Sequence, residues 1–250
     1  MAFRVTDSHT QFLEIFFDMQ RKRKYPLIDI LNAIFLVVDS GMKWRHVTLI
    51  GIPHEIVYYY FRKWTRDGTF EEFLTALTIL EREQNGRDSY PSACIIDSQS
   101  VKSDAFVGEA VGYDGGKKTK GRKRTIITDT DGNLLACGVD AANKHDGRLG
   151  VQLLAILLTR YPTLEHCWAD SAYGGHFKEV AQEDYDLYVE TVKGLKGSGF
   201  HVQARRWKVE QSIGILSKFR RLSKDYEHTV ASAVSMLNVG WILVLLPRLL

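Results

Sequence analysis

Three carboxylates carry the chemistry this sequence offers. Asp97 follows the apolar run Ala93-Cys94-Ile95-Ile96, and Asp170 follows the stretch Leu164-Glu165-His166-Cys167-Trp168-Ala169. Glu210 lies in the helix-like, cationic segment Arg205-Arg206-Trp207-Lys208-Val209-Glu210-Gln211. Acids on three separate elements suit a divalent-metal site for phosphoryl transfer: hard Mg²⁺ takes oxygen ligands, and a metal pair clamps the attacking and leaving oxygens of a phosphodiester. Taken singly, each acid also has an ordinary reading. Asp at a strand end is often a turn former, and Glu on a helix is usually a solvated face. Two acids at adjacent strand ends of an open α/β sheet, however, repel each other without a cation between them.

The cations point to the phosphodiester. Lys117, Lys118, Lys120, Arg122, Lys123 and Arg124 place six positive charges in eight residues after the glycine-rich Gly112-Tyr113-Asp114-Gly115-Gly116. Such a loop could track a phosphate backbone. A solvated loop and a nuclear-localisation signal fit the same pattern, but the position between two candidate acids favours DNA. Around Glu210, the residues Trp207, Val209, Ile213, Leu216 and Phe219 form an apolar stripe ringed by Arg205, Arg206, Lys208, Lys218, Arg220 and Arg221. A helix packed by that stripe would turn Glu210 toward the aspartates and present Arg206 to a phosphate.

Other motifs carry less. Asp129-Thr130-Asp131-Gly132 opens like a calcium loop but lacks the twelfth-position glutamate, so it reads as a turn. Asp146 reads as the cap of the helix that follows His145. There is no GxxxxGK[ST] loop, so no nucleotide cofactor is expected.

The elements that must position these residues fall into two parts. Residues 1 to about 88 read as helical, with an apolar face from Leu27 to Val37 stopped near Ser40-Gly41, a run opened by Pro53 and ended by cations, and an amphipathic helix from Phe70 to Leu80. The first two could form a helix-turn-helix with Tyr58-Tyr59-Tyr60 at the DNA backbone. A plain bundle with tyrosines in its core fits equally well. Glu81 to Ser92 reads as a linker. Ala93–Ile96, Thr125–Thr128, Leu134–Val139, Glu165–Ala169 and Leu187–Val192 then read as strands, the second and third joined by a hairpin at Asp129–Asn133. A helix from Asp146 to Leu158, with Leu149, Leu153, Ile156 and Leu157 at its spacing, lies between strands three and four. The order predicts a mixed sheet with helices on its faces, an α/β (α+β) chain.

Bulk properties narrow this little. The 250 residues carry a net charge of only +3, with 45% hydrophobic and 25% charged residues, so any nucleic-acid argument rests on where the cations sit. Cys94, Cys137 and Cys167 are odd in number, lack CxxC spacing and fall in apolar runs, which predicts buried reduced thiols of a cytoplasmic protein. Val230 to Leu246 just reaches a membrane-spanning length, but its polar residues favour a buried C-terminal helix, so no membrane partner is expected.

These residues resemble the DDE transposases of the IS5 group of bacterial insertion sequences. Ile95-Ile96-Asp97-Ser98-Gln99-Ser100-Val101-Lys102 resembles the first-acid motif, and Gly112–Arg124 resembles the loop after it. Trp168-Ala169-Asp170-Ser171-Ala172-Tyr173 resembles the second-acid motif, and Arg205–Glu210 with Phe219–Glu227 the third. Trp44-Arg45 and Val57–Trp64 resemble the helical DNA-binding segment. The resemblance implies an RNase H-like catalytic domain over 89–250 and a helix-turn-helix-like DNA-binding domain over 1–88. It implies that Asp97, Asp170 and Glu210 bind two Mg²⁺ ions, with Mn²⁺ as a substitute. It further implies double-stranded DNA at transposon ends and target as substrate, a homodimer on DNA, and a place at the bacterial nucleoid. Arg206 matches the arginine of the family's tyrosine–arginine–glutamate–lysine signature. Gln203 stands at the tyrosine's place, and Lys218 lies one residue beyond the lysine's. The interval from Asp170 to Glu210 is too short for the β-rich insertion of some related transposases.

Overall fold

A computed structural model describes residues 4–6, 13–17, 22–192 and 206–249 of the chain. The described strands are β1 (Ala93–Lys102), β2 (Gly112–Asp114), β3 (Thr119–Asp129), β4 (Leu134–Ala141), β5 (His166–Asp170) and β6 (Tyr188–Val192). They form one sheet in the order β2-β3-β1-β5-β6, with β4 also paired to β3. The β1–β3 and β3–β4 pairs are antiparallel, and β5 and β6 run parallel to β1. Antiparallel strands can be joined by a tight turn, and here Asp129 builds it: its Oδ1 accepts the amides of Asp131 and Asn133 at 2.9 and 2.8 Å. Parallel strands need crossovers. Helices α4 (Asp146–Arg160) and α5 (His176–Tyr185) supply them between β4 and β5 and between β5 and β6. Three antiparallel strands followed by two parallel crossovers is the RNase H-like arrangement.

Both faces of the sheet are covered, so its central strands read as unbroken apolar runs rather than alternating ones. Cys94, Ile96, Cys167, Ala169 and Val189 face α4 and α5, with Leu149, Leu153, Leu154, Leu157 and Phe177. Ile156 of α4 points to solvent. On the opposite face Ile95, Ile126, Cys137, Val139 and Trp168 join a cluster with Val209 of helix α6 (Trp207–Leu216) and with helix α7 (Val230–Leu249). The three cysteines are free and buried.

Helix α7 is apolar around most of its circumference and is long enough to cross a membrane, yet two-thirds of its most apolar window is buried within the protein. It packs on β4 and on helices α1 (Leu27–Ser40) and α3 (Thr69–Gln84). Each large apolar side chain removed from water there stabilises the fold by roughly 1.5–3 kcal/mol. The same hydrophobic cluster holds Leu31, Ile34, Val38, Phe61, Phe73 and Leu77 from the N-terminal helices, so a single core extends to both sides of residue 88. Helix α2 (His54–Arg66) follows a short 3₁₀ helix, Trp44–Ile50. Gly41 ends α1 in the left-handed region at φ 71°, where its amide bonds Val37 O at 3.0 Å. That conformation favours glycine.

Four expectations are corrected by packing. β1 does not end at Asp97 but continues to Lys102, because β3 pairs with it along the whole length from Cys94 to Lys102. The 117–124 cation run is not all loop: from Thr119 it belongs to β3. Gly121 is required there, since a Cβ would lie 2.0 Å from Val101 O on the neighbouring strand. The stretch from Glu81 begins inside α3, where Arg82 makes a buried 2.7 Å ion pair with Asp129. At the start of α4 the cap is His145, whose Nδ1 accepts the Gly147 amide at 3.3 Å, and Asp146 is a first-turn residue.

Candidate active site

Asp97 and Asp170 are brought together by strand register. The β1–β5 ladder pairs Cys94 with Cys167 and Ile95 with Trp168, and each acid lies two residues farther along its own strand. Side chains two apart share a face, so both carboxylates emerge at one level on the face that carries Ile95 and Trp168. Each is oriented by a local amide: Ser98 N–H donates to Asp97 Oδ1, and Ala172 N–H to Asp170 Oδ1, both at 2.7 Å.

Helix α6 brings the third acid. Its buried Val209 packs on this face, and Ser212 donates its hydroxyl to Gly132 O at 2.6 Å, clamping the helix to the β3–β4 turn. Farther along, Gln99 Nε2 reaches Ser217 Oγ at 3.4 Å. Glu210 lies in the first turn of α6, and Arg206 is its N-cap residue. The field at Asp97 reports this geometry. Burial pushes the Asp97 carboxyl up, the Ser98 amide and the Arg206 guanidinium pull it down, and Asp170 and Glu210 both push it up. Nearby Tyr173 is buried, and burial with the Asp146 and Asp97 charges raises its phenol well above the ordinary value, so it stays protonated. Sequence reading assigned Tyr173 no role; the signal was its place three residues after Asp170.

Among the described residues no three His, Cys, Asp or Glu side chains stand close enough to hold a metal ion. The donor chemistry of the three acids still fits one. They offer hard oxygens only, and the ionised form of Asp97 is penalised by burial and by two like charges, which a divalent cation would offset.

The cations divide by burial. Lys117, Lys118, Lys120, Lys218 and Arg220 are exposed, and Arg206 is half-buried beside Asp97. Arg122, Lys123, Arg124 and Arg221 are buried, which corrects their reading as DNA contacts. Arg122 donates to Asp225 Oδ1 at 3.0 Å and to the carbonyls of Glu109, Glu227 and His228. Arg124 bonds the carbonyls of Leu222 and Lys224 at 2.7 and 3.0 Å. Arg221 pairs with Glu227 at 2.7 Å, and Lys123 pairs with Asp146. These four tie β3 and the segment after α6 into the core. Arg205 and Gln203 lie outside the described residues.

On α2, Tyr58 and Tyr59 are exposed while Tyr60 packs on Trp64 with ring centroids 5.2 Å apart. Tyr58, Tyr59, Arg62 and Arg66 line a surface hollow of about 370 Å³.

Residues 89–245 match the family model of the transposase DDE domain. Residues 5–74 match a model of IS4/5-family transposases, DUF4096. Among solved structures the chain is similar to the crystal structure of the Mos1 strand transfer complex, at 11% identity and a TM-score of 0.25, over 68% of this chain and 58% of that one. No curated protein matches the chain.

Proposed function

The chain belongs to the transposase DDE-domain family, of IS4/5 type, and we propose that it cleaves DNA at the terminal inverted repeats of an insertion sequence and joins the 3′ ends to target DNA. The observation that carries this reading is the facing pair Asp97 and Asp170, with Glu210 and Arg206 acting on Asp97.

In this reading Asp97, Asp170 and Glu210 would hold two Mg²⁺ ions, which Mn²⁺ could replace. Bound there, the metal would supply activation of an oxygen nucleophile and neutralisation of charge on the phosphate. The chain's own residues do the positioning. The Ser98 and Ala172 amides fix the two aspartates. Arg206 pairs with a phosphate oxygen, Lys118, Lys120, Lys218 and Arg220 follow the flanking backbone, and Lys117 also meets the DNA. Tyr173, held protonated, does not compete as a base.

We assign residues 89–250 to catalysis and 1–88 to recognition of the ends, with the Tyr58, Tyr59, Arg62 and Arg66 surface of α2 against the duplex. Two ends must be paired, so the working unit is a homodimer on DNA. The IS5 group of bacterial elements and a cytoplasmic, nucleoid-associated setting complete the proposal.

One observation favours a second reading. The described acids do not close into a metal cage, as in a transposase descendant kept as a catalytically silent repressor or architectural protein. Incubating the purified chain with Mg²⁺ and DNA carrying the element's ends separates the cases. Joined products support the transposase, nicks without joining indicate a nuclease, and binding without nicks indicates the silent protein.

A further inference from the structure

The β2–β3 hairpin carries a chain of hydrogen bonds that ends beside Asp97. Ser100, three residues past Asp97 on β1, donates its hydroxyl to Asp114 Oδ2 at 2.6 Å. Asp114 Oδ1 accepts the amides of Gly116 and Lys117, each at 3.0 Å. These bonds, the Ser100 hydroxyl first, hold the Asp114 carboxyl below its ordinary range. The turn so fixed delivers Lys117, whose Nζ lies 3.3 Å from the Ser98 carbonyl oxygen, one residue along β1 from Asp97.

Two further features bear on what this arrangement serves. Lys123, farther along the chain on β3, is neutralised by Asp146. Among the described residues Lys117 meets a carbonyl rather than a carboxylate, so its full charge stays available to an anion. A hollow of about 320 Å³ separates the hairpin from the loop behind Asp170, with Asp114 and Tyr113 on one side and Ala172 on the other. The Ala172 amide is the one that orients Asp170.

We infer that Ser100 and Asp114 are positioning residues that lay Lys117 against β1, where its ammonium binds a non-bridging oxygen of the DNA phosphate under attack. The inference rests on the DDE reading above and gives Lys117 a part distinct from the other exposed lysines.

Single-turnover cleavage of end DNA by the full chain tests it, using Lys117→Met, Asp114→Ala, Asp114→Asn and the double variant Asp114→Ala/Lys117→Met. Lys117→Met and Asp114→Ala should each slow cleavage roughly 10–100-fold, the cost of losing a positioned contact. End-DNA affinity should change by less than about threefold in both. The double variant should be no slower than Lys117→Met alone. Asp114→Asn keeps an oxygen for the two amides and should recover most of the rate. Multiplying losses in the double variant, or a defect confined to affinity, overturns the inference. Amide exchange at Gly116 and Lys117 in Ser100→Ala reads the arrangement without activity: faster exchange there is expected, and unchanged exchange overturns it. A wild-type chain that makes no cuts sinks the DDE reading instead, whatever the exchange shows.

Discussion

Asp97 and Asp170 stand at one level on neighbouring parallel strands, each two residues past the Ile95–Trp168 pair and each bonded through Oδ1 to a backbone amide at 2.7 Å. The sheet, not a flexible loop, sets their spacing. Two carboxylates fixed this way on one face carry a standing electrostatic cost, and Glu210 adds to it at Asp97.

That cost should be measurable as stability. The Asp97 carboxyl is raised chiefly by burial, so the native state binds its proton more tightly than the unfolded chain does. Stability is therefore lost as pH rises from the ordinary value of 3.8 through the raised one, and stays lost at neutral pH. Asp97→Asn should raise Tm at about pH 7, by roughly 2–4 °C for each kcal/mol regained, and should have little effect below 3.8. Mg²⁺ should raise the Tm of the wild type and not that of the variant. Equal Mg²⁺ responses would contradict the metal assignment.

Arg122 and the exposed lysines should fail differently. Arg122 is fully buried among Asp225 and three carbonyls. Arg122→Ala leaves those acceptors unmet and is expected to cost roughly 3–5 kcal/mol in urea denaturation. Lys118→Ala with Lys120→Ala should stay within about 0.5 kcal/mol each yet lower the log–log salt slope of DNA binding by roughly two units. The opposite pattern would mean that Arg122 reaches DNA and the lysines do not.

Much of this was legible beforehand, and the misses share a cause. The apolar runs at Ala93, Leu134 and His166 read as strands because both sheet faces are covered, and the Asp129–Asn133 hairpin was visible in its turn residues. The extension of β1 through Ser98-Gln99-Ser100 was not, because polar residues there look like a turn and only pairing with β3 makes them a strand. The cations of β3 misled for the same reason. Arg122, Arg124 and Arg221 are neutralised by Asp225 and Glu227, and from Arg122 to Asp225 is 103 residues, a separation no local pattern can bridge. The available signal was the acidic Asp225-Tyr226-Glu227 segment.

In the proposed function, recognition belongs to the α2 surface and chemistry to the three acids. Arg62→Ala with Arg66→Ala, at the hollow lined by Tyr58 and Tyr59, should weaken end binding and lower the salt slope by roughly two units. Cleavage measured with DNA fully bound should keep its rate. A rate loss with unchanged binding would move this surface out of the recognition role.

The most direct test of the three-acid assignment is Glu210→Gln, which keeps the shape of the side chain on α6 and removes its charge. The variant should bind end DNA as the wild type does while losing Mg²⁺-dependent cleavage and joining, a fall of at least about 10²-fold for loss of one of the three acids assigned to the metal. Cleavage at the wild-type rate would contradict the account.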